Sequence, residues 1–268
     1  MRHRFVWLTD THLDKVMPWT LSRFINHIVR EAPDGLFLTG DISNGILTPM
    51  HLKMLATSIE CPIYFVLGNH DYHFTGIQKQ HAAIRELCKQ HPNLIWMTDA
   101  GVVRLNEEVC VIGTEGWYDA EEGRPEYLQF TFDWFLTKDF RQLFSMEDRI
   151  AFWRKMAKDS AHDIEDKLER AIDQGYKSIY ILTHVPPWRE ATRDVGTFME
   201  RFWLPYNTNM RMGRAIEKVM AEHKKRHATV LAGHTHTQAS ILVSRNIHCI
   251  VNEAHYLGAP KNEHIIIL

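Results

Sequence analysis

The feature that most constrains the fold of this chain is an alternation of short apolar runs with segments of helical periodicity. The apolar runs are rich in β-branched residues and lie at 4–9, 35–39, 63–67, 109–113, 178–183 and 228–232. Apolar residues recur at helical spacing over 20–31, and similar patterns occupy 76–90 and 208–227. Strands that alternate with helices are typical of α/β proteins, so we expect that fold class.

Two parts of the chain depart from this alternation. Three further strand-like runs close the sequence without a helical pattern between them, at 239–243, 247–251 and 264–268. We expect that end of the fold to be antiparallel. Residues 116–171 contain many aromatic residues and no convincing strand pattern, and 145–173 is strongly helical. We interpret 116–171 as a cap-like insertion, packed on a single domain that spans 1–268.

The composition is that of a globular protein and argues against several other classes. Of the 268 residues, 45% are hydrophobic and 24% are charged, which is ordinary for a globular domain and excludes a wholly disordered or fibrous chain. The formal net charge of −2 argues against strong nucleic-acid binding, which needs a positive field. No run of about 18 apolar residues is present, so we expect no membrane span.

The cysteines indicate the compartment. Four cysteines lie far apart, and none forms a CxxC pair, so we expect neither a zinc finger nor a thioredoxin motif. The apolar stretch near the N-terminus, Phe5 to Leu8, is too short for the core of a signal peptide. Together these features favour buried thiols in a reducing, cytoplasmic environment.

Residues that can bind a metal or transfer a proton follow five of the predicted strands. They are Asp10, His12, Asp41, Asn69, His184, His234 and His236. Ligands of open α/β sheets bind beyond the carboxyl ends of the strands, so we expect these side chains to converge. Glycines stand just before three of them, at Gly40, Gly68 and Gly233, where the chain must turn sharply and the backbone must approach the site closely.

The chemistry of this set indicates two metal ions. It contains two carboxylates, one amide oxygen and four imidazoles, and no thiolate. Seven donors are too many for one tetrahedral ion, and they suit two ions that share a carboxylate. Mixed imidazole and carboxylate ligands accommodate Mn, Fe, Zn, Co or Ni. Two metals about 3.5–4 Å apart are used for in-line displacement at phosphorus.

The order of these motifs resembles that of the calcineurin-like metallophosphoesterase family. The matching blocks are Asp10-Thr11-His12, Gly40-Asp41, Gly68-Asn69-His70-Asp71, His184 and Gly233-His234-Thr235-His236. Any single block is common by chance, whereas all five in order, each after a predicted strand, are specific. The resemblance implies a four-layer α/β/β/α sandwich, to which the helical, aromatic-rich segment is an insertion.

The resemblance also implies a role for each residue. The first metal would be held by Asp10, His12, Asp41 and His236. The second would be held by Asp41, Asn69, His184 and His234, with Asp41 as the bridge. Mn or Fe is favoured, and a hydroxide between the metals would be the nucleophile. His70 would protonate the leaving oxygen or bind the phosphate, and Asp71 would orient His70 through a ring nitrogen.

The substrate is the least constrained part of the prediction. The blocks around Asp41 and Asn69 look like the phosphodiesterase branch of the family, and small phosphate esters, nucleotides among them, are the expected substrates. A phosphomonoesterase, a nuclease and a non-catalytic scaffold on the same fold are the alternatives. Asn44, His73 and Trp188 are candidate substrate contacts because they lie close in sequence to predicted site residues. The aromatic residues of the insertion either stack on a base or form its core, and we favour the core.

Overall fold

The computed structural model describes residues 3–126, 131–192, 198–254 and 264–268 of the chain. The strands of this part are β1 (Arg4–Leu8), β2 (Gly35–Thr39), β3 (Ile63–Val66), β4 (Leu94–Trp96), β5 (Val103–Arg104), β6 (Val109–Gly113), β7 (Ser178–Leu182), β8 (His227–Ala232), β9 (Ala239–Ser244), β10 (Ile247–Val251) and β11 (His264–Ile267). The helices are α1 (Pro18–Glu31), α2 (Thr48–Ser58), α3 (Ile77–Gln90), α4 (Asp133–Leu136), α5 (Lys138–Arg141), α6 (Met146–Asp173), α7 (Phe198–Asn207) and α8 (Met210–Glu222). No helix of the described residues is long and apolar enough to cross a membrane.

The strands form two sheets. The first has the order β11-β1-β2-β3-β4, with β1 to β4 parallel and β11 antiparallel to β1. The second has the order β5-β6-β7-β8-β10-β9, with a parallel centre and an antiparallel strand at each edge. The carboxyl ends of the parallel strands carry the loops that form the site.

The sheets pack face to face, and helices cover both outer faces. The layer between the sheets contains Phe5, Trp7, Phe37, Tyr64, Val111, Leu182 and Leu231. The outer face of the first sheet packs against α1, α2 and α3, and that of the second packs against α6 and α8. The expected four-layer α/β/β/α sandwich is therefore confirmed.

Helix α1 shows how the sequence produces one of these outer layers. Leu21, Phe24, Ile25 and Ile28 are buried on one face, as their spacing predicts. Pro18 occupies the start of the helix, where its missing N–H costs no hydrogen bond. The helix ends just after Glu31, ahead of a proline that cannot continue it.

Some elements differ from the prediction. Helix α2 and the short strands β4 and β5 were not predicted. Helix α2 buries Thr48 and His51 beside Leu52 and Leu55, so its buried face carries a weak apolar signal. The closing strands are only partly antiparallel. The β9–β10 hairpin returns the chain so that β10 pairs with β8 in parallel, and β11 crosses to the first sheet.

The described part of the segment 116–171 packs closely on the rest of the protein; residues 127–130 lie outside the described residues. Trp117, Tyr118, Trp134 and Trp153 are buried in the apolar cluster that also contains the side chains of α1 to α3. This placement agrees with aromatic side chains that form a core. The second half of α6 lies against the second sheet beside α8. That the segment is a cap-like insertion in one domain stays a prediction.

Candidate metal centre

The seven predicted metal ligands lie together at the carboxyl ends of strands from both sheets. Asp10 and His12 follow β1, Asp41 follows β2 and Asn69 follows β3. The three remaining ligands come from the loops after β7 and β8. Six of the seven are buried. The structure therefore brings into one place side chains that the sequence separates by more than 200 residues.

Four of these residues form a first cluster. One donor atom from each of Asp10, His12, Asp41 and His236 lies within 4.8 Å of the others. The Nε2 atom of His236 is 3.1 Å from Oδ1 of Asp10 and 3.2 Å from Nε2 of His12. Burial acts to lower the pKa of His236, but the hydrogen bond and the charge of Asp10 outweigh it and raise this pKa. The cluster offers two carboxylates and two imidazoles to a single ion.

Three residues form a second cluster beside the first. The Oδ1 atom of Asn69 is 3.0 Å from Nε2 of His184 and 3.1 Å from Nδ1 of His234. The two ring nitrogens are themselves 3.2 Å apart. An oxygen and two nitrogens thus converge on one small volume.

The second cluster has the donor chemistry of a cation site. The other nitrogens of the two rings face backbone carbonyls, with Nδ1 of His184 2.8 Å from the oxygen of Thr39 and Nε2 of His234 2.9 Å from that of Tyr206. A carbonyl only accepts, so these nitrogens carry the hydrogens and the converging atoms present lone pairs. Burial lowers the pKa of His234 to about 3, which keeps its ring neutral. Three acceptors that face each other are satisfied by a positive ion.

Asp41 joins the two clusters. Its Oδ1 atom lies 3.4 Å from Nε2 of His184, and its Oδ2 atom lies 3.8 Å from Nε2 of His12. Burial, together with repulsion from Asp10 and Asp71, holds the pKa of Asp41 well above its usual value. A cation on either side would relieve this repulsion. The residues present therefore fit two metal ions that share one carboxylate.

The backbone is strained at these ligands. Positive φ angles are found at Asp10 (48°), His12 (39°), Asp41 (50°), His234 (69°) and His236 (54°). Residues other than glycine rarely adopt this left-handed conformation, and Asp and His are among those that tolerate it best. Strain of this kind persists where the surrounding structure enforces it, and it concentrates at functional sites.

The three glycines that precede ligands lie in close contact with the site. A Cβ atom on Gly40 would lie 2.5 Å from Nδ1 of His184, and one on Gly68 would lie 2.8 Å from Nε2 of the same ring. A Cβ atom on Gly233 would collide with Thr9 and Asp10. The close approach of the backbone predicted from the sequence is confirmed at all three positions.

His70 lies at the open side of the first cluster. Its side chain is 24% exposed, and its Nε2 atom is 3.8 Å from Oδ2 of Asp41. The ring packs against those of His12 and His73, with centroids 4.8 and 4.4 Å away. Burial, helped by these neighbouring imidazoles, places the pKa of His70 well below its usual value. A neutral His70 can still donate a ring N–H to a bound molecule.

Asp71 does not make the expected contact with the ring of His70. Both of its carboxylate oxygens instead accept hydrogen bonds from the loops that follow β2 and β3 and from the first residue of α2. The donors are the backbone N–H groups of Ile42, Ser43 and Gly68 and the hydroxyl of Thr48, at 2.7–3.2 Å. Asp71 therefore fixes the loops that carry the ligands, because these four donors occupy the carboxylate completely.

The candidate substrate contacts have different surroundings. Trp188 packs in the outer layer against α8, and its Nε1 donates to Glu217 at 2.6 Å, so its prediction as a substrate contact is wrong. His73 is buried behind His70 and its Nε2 lies 2.6 Å from Oδ1 of Asp133, which corrects its expected contact with substrate. Asn44 donates to Asp14 at 3.3 Å and is half-buried, and its contact with substrate stays a prediction.

Two residues near the second cluster were missed. Oδ1 of Asp133 accepts from Nδ2 of Asn69 at 2.9 Å, and the hydroxyl of Tyr206 accepts from the same nitrogen at 2.8 Å. Neither residue belongs to a motif. A carboxylate within the aromatic run around Asp133 is the only signal that could have drawn attention to it, because such a residue must find donors when it is buried.

Comparisons with known proteins agree with this geometry. A sequence profile described as calcineurin-like phosphoesterase matches residues 3–238. A phosphopantetheinyl hydrolase from Mycobacterium tuberculosis has a similar structure, with 14% identity, a TM-score of 0.66, and coverage of 94% of this chain and 89% of that one. A dimetal phosphatase from Danio rerio is similar with 13% identity, a TM-score of 0.58, and coverage of 97% and 88%. Curated protein sequences give no significant match. At these identities the solved structures show a shared fold.

Proposed function

This chain belongs to the calcineurin-like phosphoesterase family, hydrolases of phosphoric esters, and we propose that it is a two-metal phosphodiesterase acting on small substrates. The observation that carries the proposal is the position of Asp41 between the two donor clusters. One of its oxygens faces His184 and the other faces His12, at 3.4 and 3.8 Å. A carboxylate with this placement can hold two ions at once.

The proposed ligands follow from the two clusters. Asp10, His12 and His236 would complete the first ion's shell, and Asn69, His184 and His234 would complete the second. Bound there, the two ions would activate a water molecule and neutralise charge on the phosphoryl oxygens. Imidazole, carboxylate and amide donors suit Mn or Fe, which we propose as the metals. The carbonyls of Thr39 and Tyr206 hold the His184 and His234 rings in the tautomers that binding requires.

His70 is the proposed acid. Its ring lies beside the first cluster with its Nε2 atom 3.8 Å from Asp41, and it is the partly exposed imidazole next to the buried ligands. From this position a ring N–H can donate to the leaving oxygen of an ester bound at the metals. Proton transfer of this kind contributes about 10²–10⁴-fold to turnover in enzymes.

The charge of the site favours a diester over a monoester. Lys15 is close enough to interact with the charges of Asp41 and Asp10, and the described first cluster consists of two carboxylates and two imidazoles. A phosphodiester carries one negative charge at neutral pH, whereas the second pKa of a monoester is about 6, so it is mostly doubly charged. Because two buried carboxylates accompany this lysine in the described part of the site, a singly charged ester suits it better than a doubly charged one.

The remaining proposals concern the domain organisation, the substrate and the cellular location. We keep a single domain over 1–268, a small phosphate ester such as a nucleotide as the substrate, and a cytoplasmic location. Cys61, Cys88, Cys110 and Cys249 are all free thiols. Cysteines that form no disulfide support a reducing compartment.

Comparison of two chromogenic esters tests the proposal. Turnover of bis(p-nitrophenyl) phosphate should exceed that of p-nitrophenyl phosphate when Mn²⁺ is supplied. A preference for the monoester would replace the phosphodiesterase with a phosphomonoesterase. Hydrolysis of neither ester by a protein that holds two ions would reject the proposal as stated. The H70A variant is the control for contaminating phosphatases. A contaminant would be present in both preparations, so activity that belongs to this protein should be lost in the H70A preparation.

A further inference from the structure

We propose that Asp133 is a positioning residue of the second metal site, which acts by fixing the side-chain amide of Asn69. The proposal rests on the two-metal site of the proposed function and adds a residue that none of the family motifs contains. Asp133 lies at the start of α4, within the segment 116–171, and is 64 residues from Asn69 in sequence. The segment would thereby help to complete the metal centre.

The contacts of the Asn69 amide carry the first step. Its Nδ2 atom donates both hydrogens, one to Oδ1 of Asp133 at 2.9 Å and one to the hydroxyl of Tyr206 at 2.8 Å. Its Oδ1 atom therefore points to the opposite side, toward His184 and His234. Orientation of this amide decides whether the second cluster receives an oxygen or an NH₂ group.

The second step is that the histidines alone favour the wrong orientation. Both rings present a lone pair to the amide, and an NH₂ group would satisfy lone pairs better than an oxygen before a metal binds. Tyr206 does not decide between the orientations, since a hydroxyl can donate or accept. A carboxylate only accepts, so Asp133 repels an oxygen and binds the NH₂ group. The Asp133 oxygens also face the His73 ring nitrogen and the Tyr118 hydroxyl, two further donors that suit an acceptor.

Other contacts of Asp133 hold the carboxylate in place. Its Oδ1 atom also lies 2.6 Å from Nε2 of His73, and its Oδ2 atom accepts from the hydroxyl of Tyr118 at 3.1 Å. The side chain is 1% exposed. The His73 ring packs on that of His70, so the same carboxylate also supports the wall behind the proposed acid. Asp133 is thus held by His73 and Tyr118 while it faces Asn69.

The D133N variant tests the proposal through metal affinity. An asparagine at this position can donate to the Asn69 oxygen, so the amide can turn and present its NH₂ group to the second site. We expect Mn²⁺ titration calorimetry on the metal-free protein, with elemental analysis, to show one site unchanged and the other weakened about 10–100-fold, the usual effect of losing such a partner. Unchanged affinity at both sites would overturn the proposal.

The D119N variant is the matched control. Asp119 belongs to the same segment and is fully buried, but the described groups that donate to it are the backbone N–H groups of Glu121 and Arg211, both at 3.0 Å. We expect D119N to lower the unfolding temperature and to leave both metal affinities unchanged. Selective loss of one metal site in D119N as well would show that any buried carboxylate of the segment has this effect, and would overturn the specific role of Asp133.

A double variant keeps the test decisive if D133N is unstable. In D133N/N69D the side chain at position 69 has an oxygen on both sides, so one faces the histidines in either orientation while the new amide at position 133 donates to the other. We expect this variant to regain the second metal site, and failure to regain it would contradict the orientation mechanism.

All these measurements omit substrate, so a wild type that binds two ions but hydrolyses neither ester defeats the proposed function alone. A wild type that binds fewer than two ions defeats both.

Discussion

The Nε2 atom of His184 lies 3.2 Å from the Nδ1 atom of His234, and each ring gives its other nitrogen to a backbone carbonyl. The lone pairs of these two nitrogens therefore face each other. At this distance one of the two nitrogens would ordinarily carry a hydrogen and donate it to the other. The hydrogen bonds to the carbonyls of Thr39 and Tyr206 fix both rings in this arrangement. This is a site prepared for a cation, and the predictions below follow from it and from its neighbours.

Metal binding should stabilise the folded protein, because ions relieve the facing lone pairs and the repulsion between Asp10 and Asp41. At a metal concentration 100 times the dissociation constant, one site adds about 2.7 kcal/mol to the free energy of unfolding. We expect Mn²⁺ to raise the unfolding temperature of the EDTA-treated protein by roughly 5–10 °C in a thermal melt. An unfolding temperature that does not respond to Mn²⁺ would count against both clusters.

Substitution D41N should weaken both metal sites together, because each oxygen of Asp41 faces a different cluster. We expect the metal content after dialysis to fall from two ions per chain toward none, and each affinity to fall by more than the roughly 10–100-fold typical of residues that only support a ligand. Elemental analysis measures this. Loss of a single ion would show that Asp41 serves one site and does not bridge.

Substitution H70A should reduce turnover without removing metal. His70 lies beside the donors but is not needed to complete either set, so we expect kcat to fall by about 10²–10⁴-fold, the usual contribution of a general acid. The metal content and the unfolding temperature should match those of the wild type. If H70A purified without its ions, His70 would have to be reassigned as a ligand.

Substitution G68A should destabilise the protein and weaken metal binding, because the backbone at Gly68 lies against two ligands. A methyl group there would collide with the Asp41 carboxylate and with the His184 ring. We expect a loss of about 1–3 kcal/mol in the free energy of unfolding, as in other overpacked sites, and weaker binding of both ions. Urea unfolding and metal titration measure the two effects. Substitution G101A is the matched control and should change neither property, since beyond the two adjacent residues no described atom lies within 4 Å of its new methyl group.

Substitution W188F should leave kcat and KM unchanged, because Trp188 packs in the outer helical layer. Its lost hydrogen bond to the exposed Glu217 should cost about 1 kcal/mol, or about 2–4 °C in the unfolding temperature. Steady-state kinetics and a thermal melt test the two parts. A marked change in KM would restore Trp188 as a substrate contact and contradict its position in the structure.

The local sequence was sufficient for most of the strands and for the ligand residues that follow them. The runs that become β1, β2, β6 and β10 were predicted within one residue of their bounds, because each is a short run rich in apolar residues. Helix α2 was missed because Thr48 and His51 lie on its buried face, where the apolar period is broken. Strand β4 was missed because it has only three residues. Pairing of β10 with β8 and of β11 with β1 depends on contacts between distant segments, which periodicity does not report.

For the candidate site too, the sequence predicted one part and only the structure revealed the other. The sequence by itself determined which side chains converge, because the ends of parallel strands meet at one edge and each ligand stands directly after a strand. Only the tertiary structure decided what holds them: Asp71 binds loop amides instead of His70, and Asp133 reaches Asn69 and His73 from a segment with no motif. The reason is physical. A buried polar group must find a hydrogen-bond partner, and that partner is whichever segment folds over it.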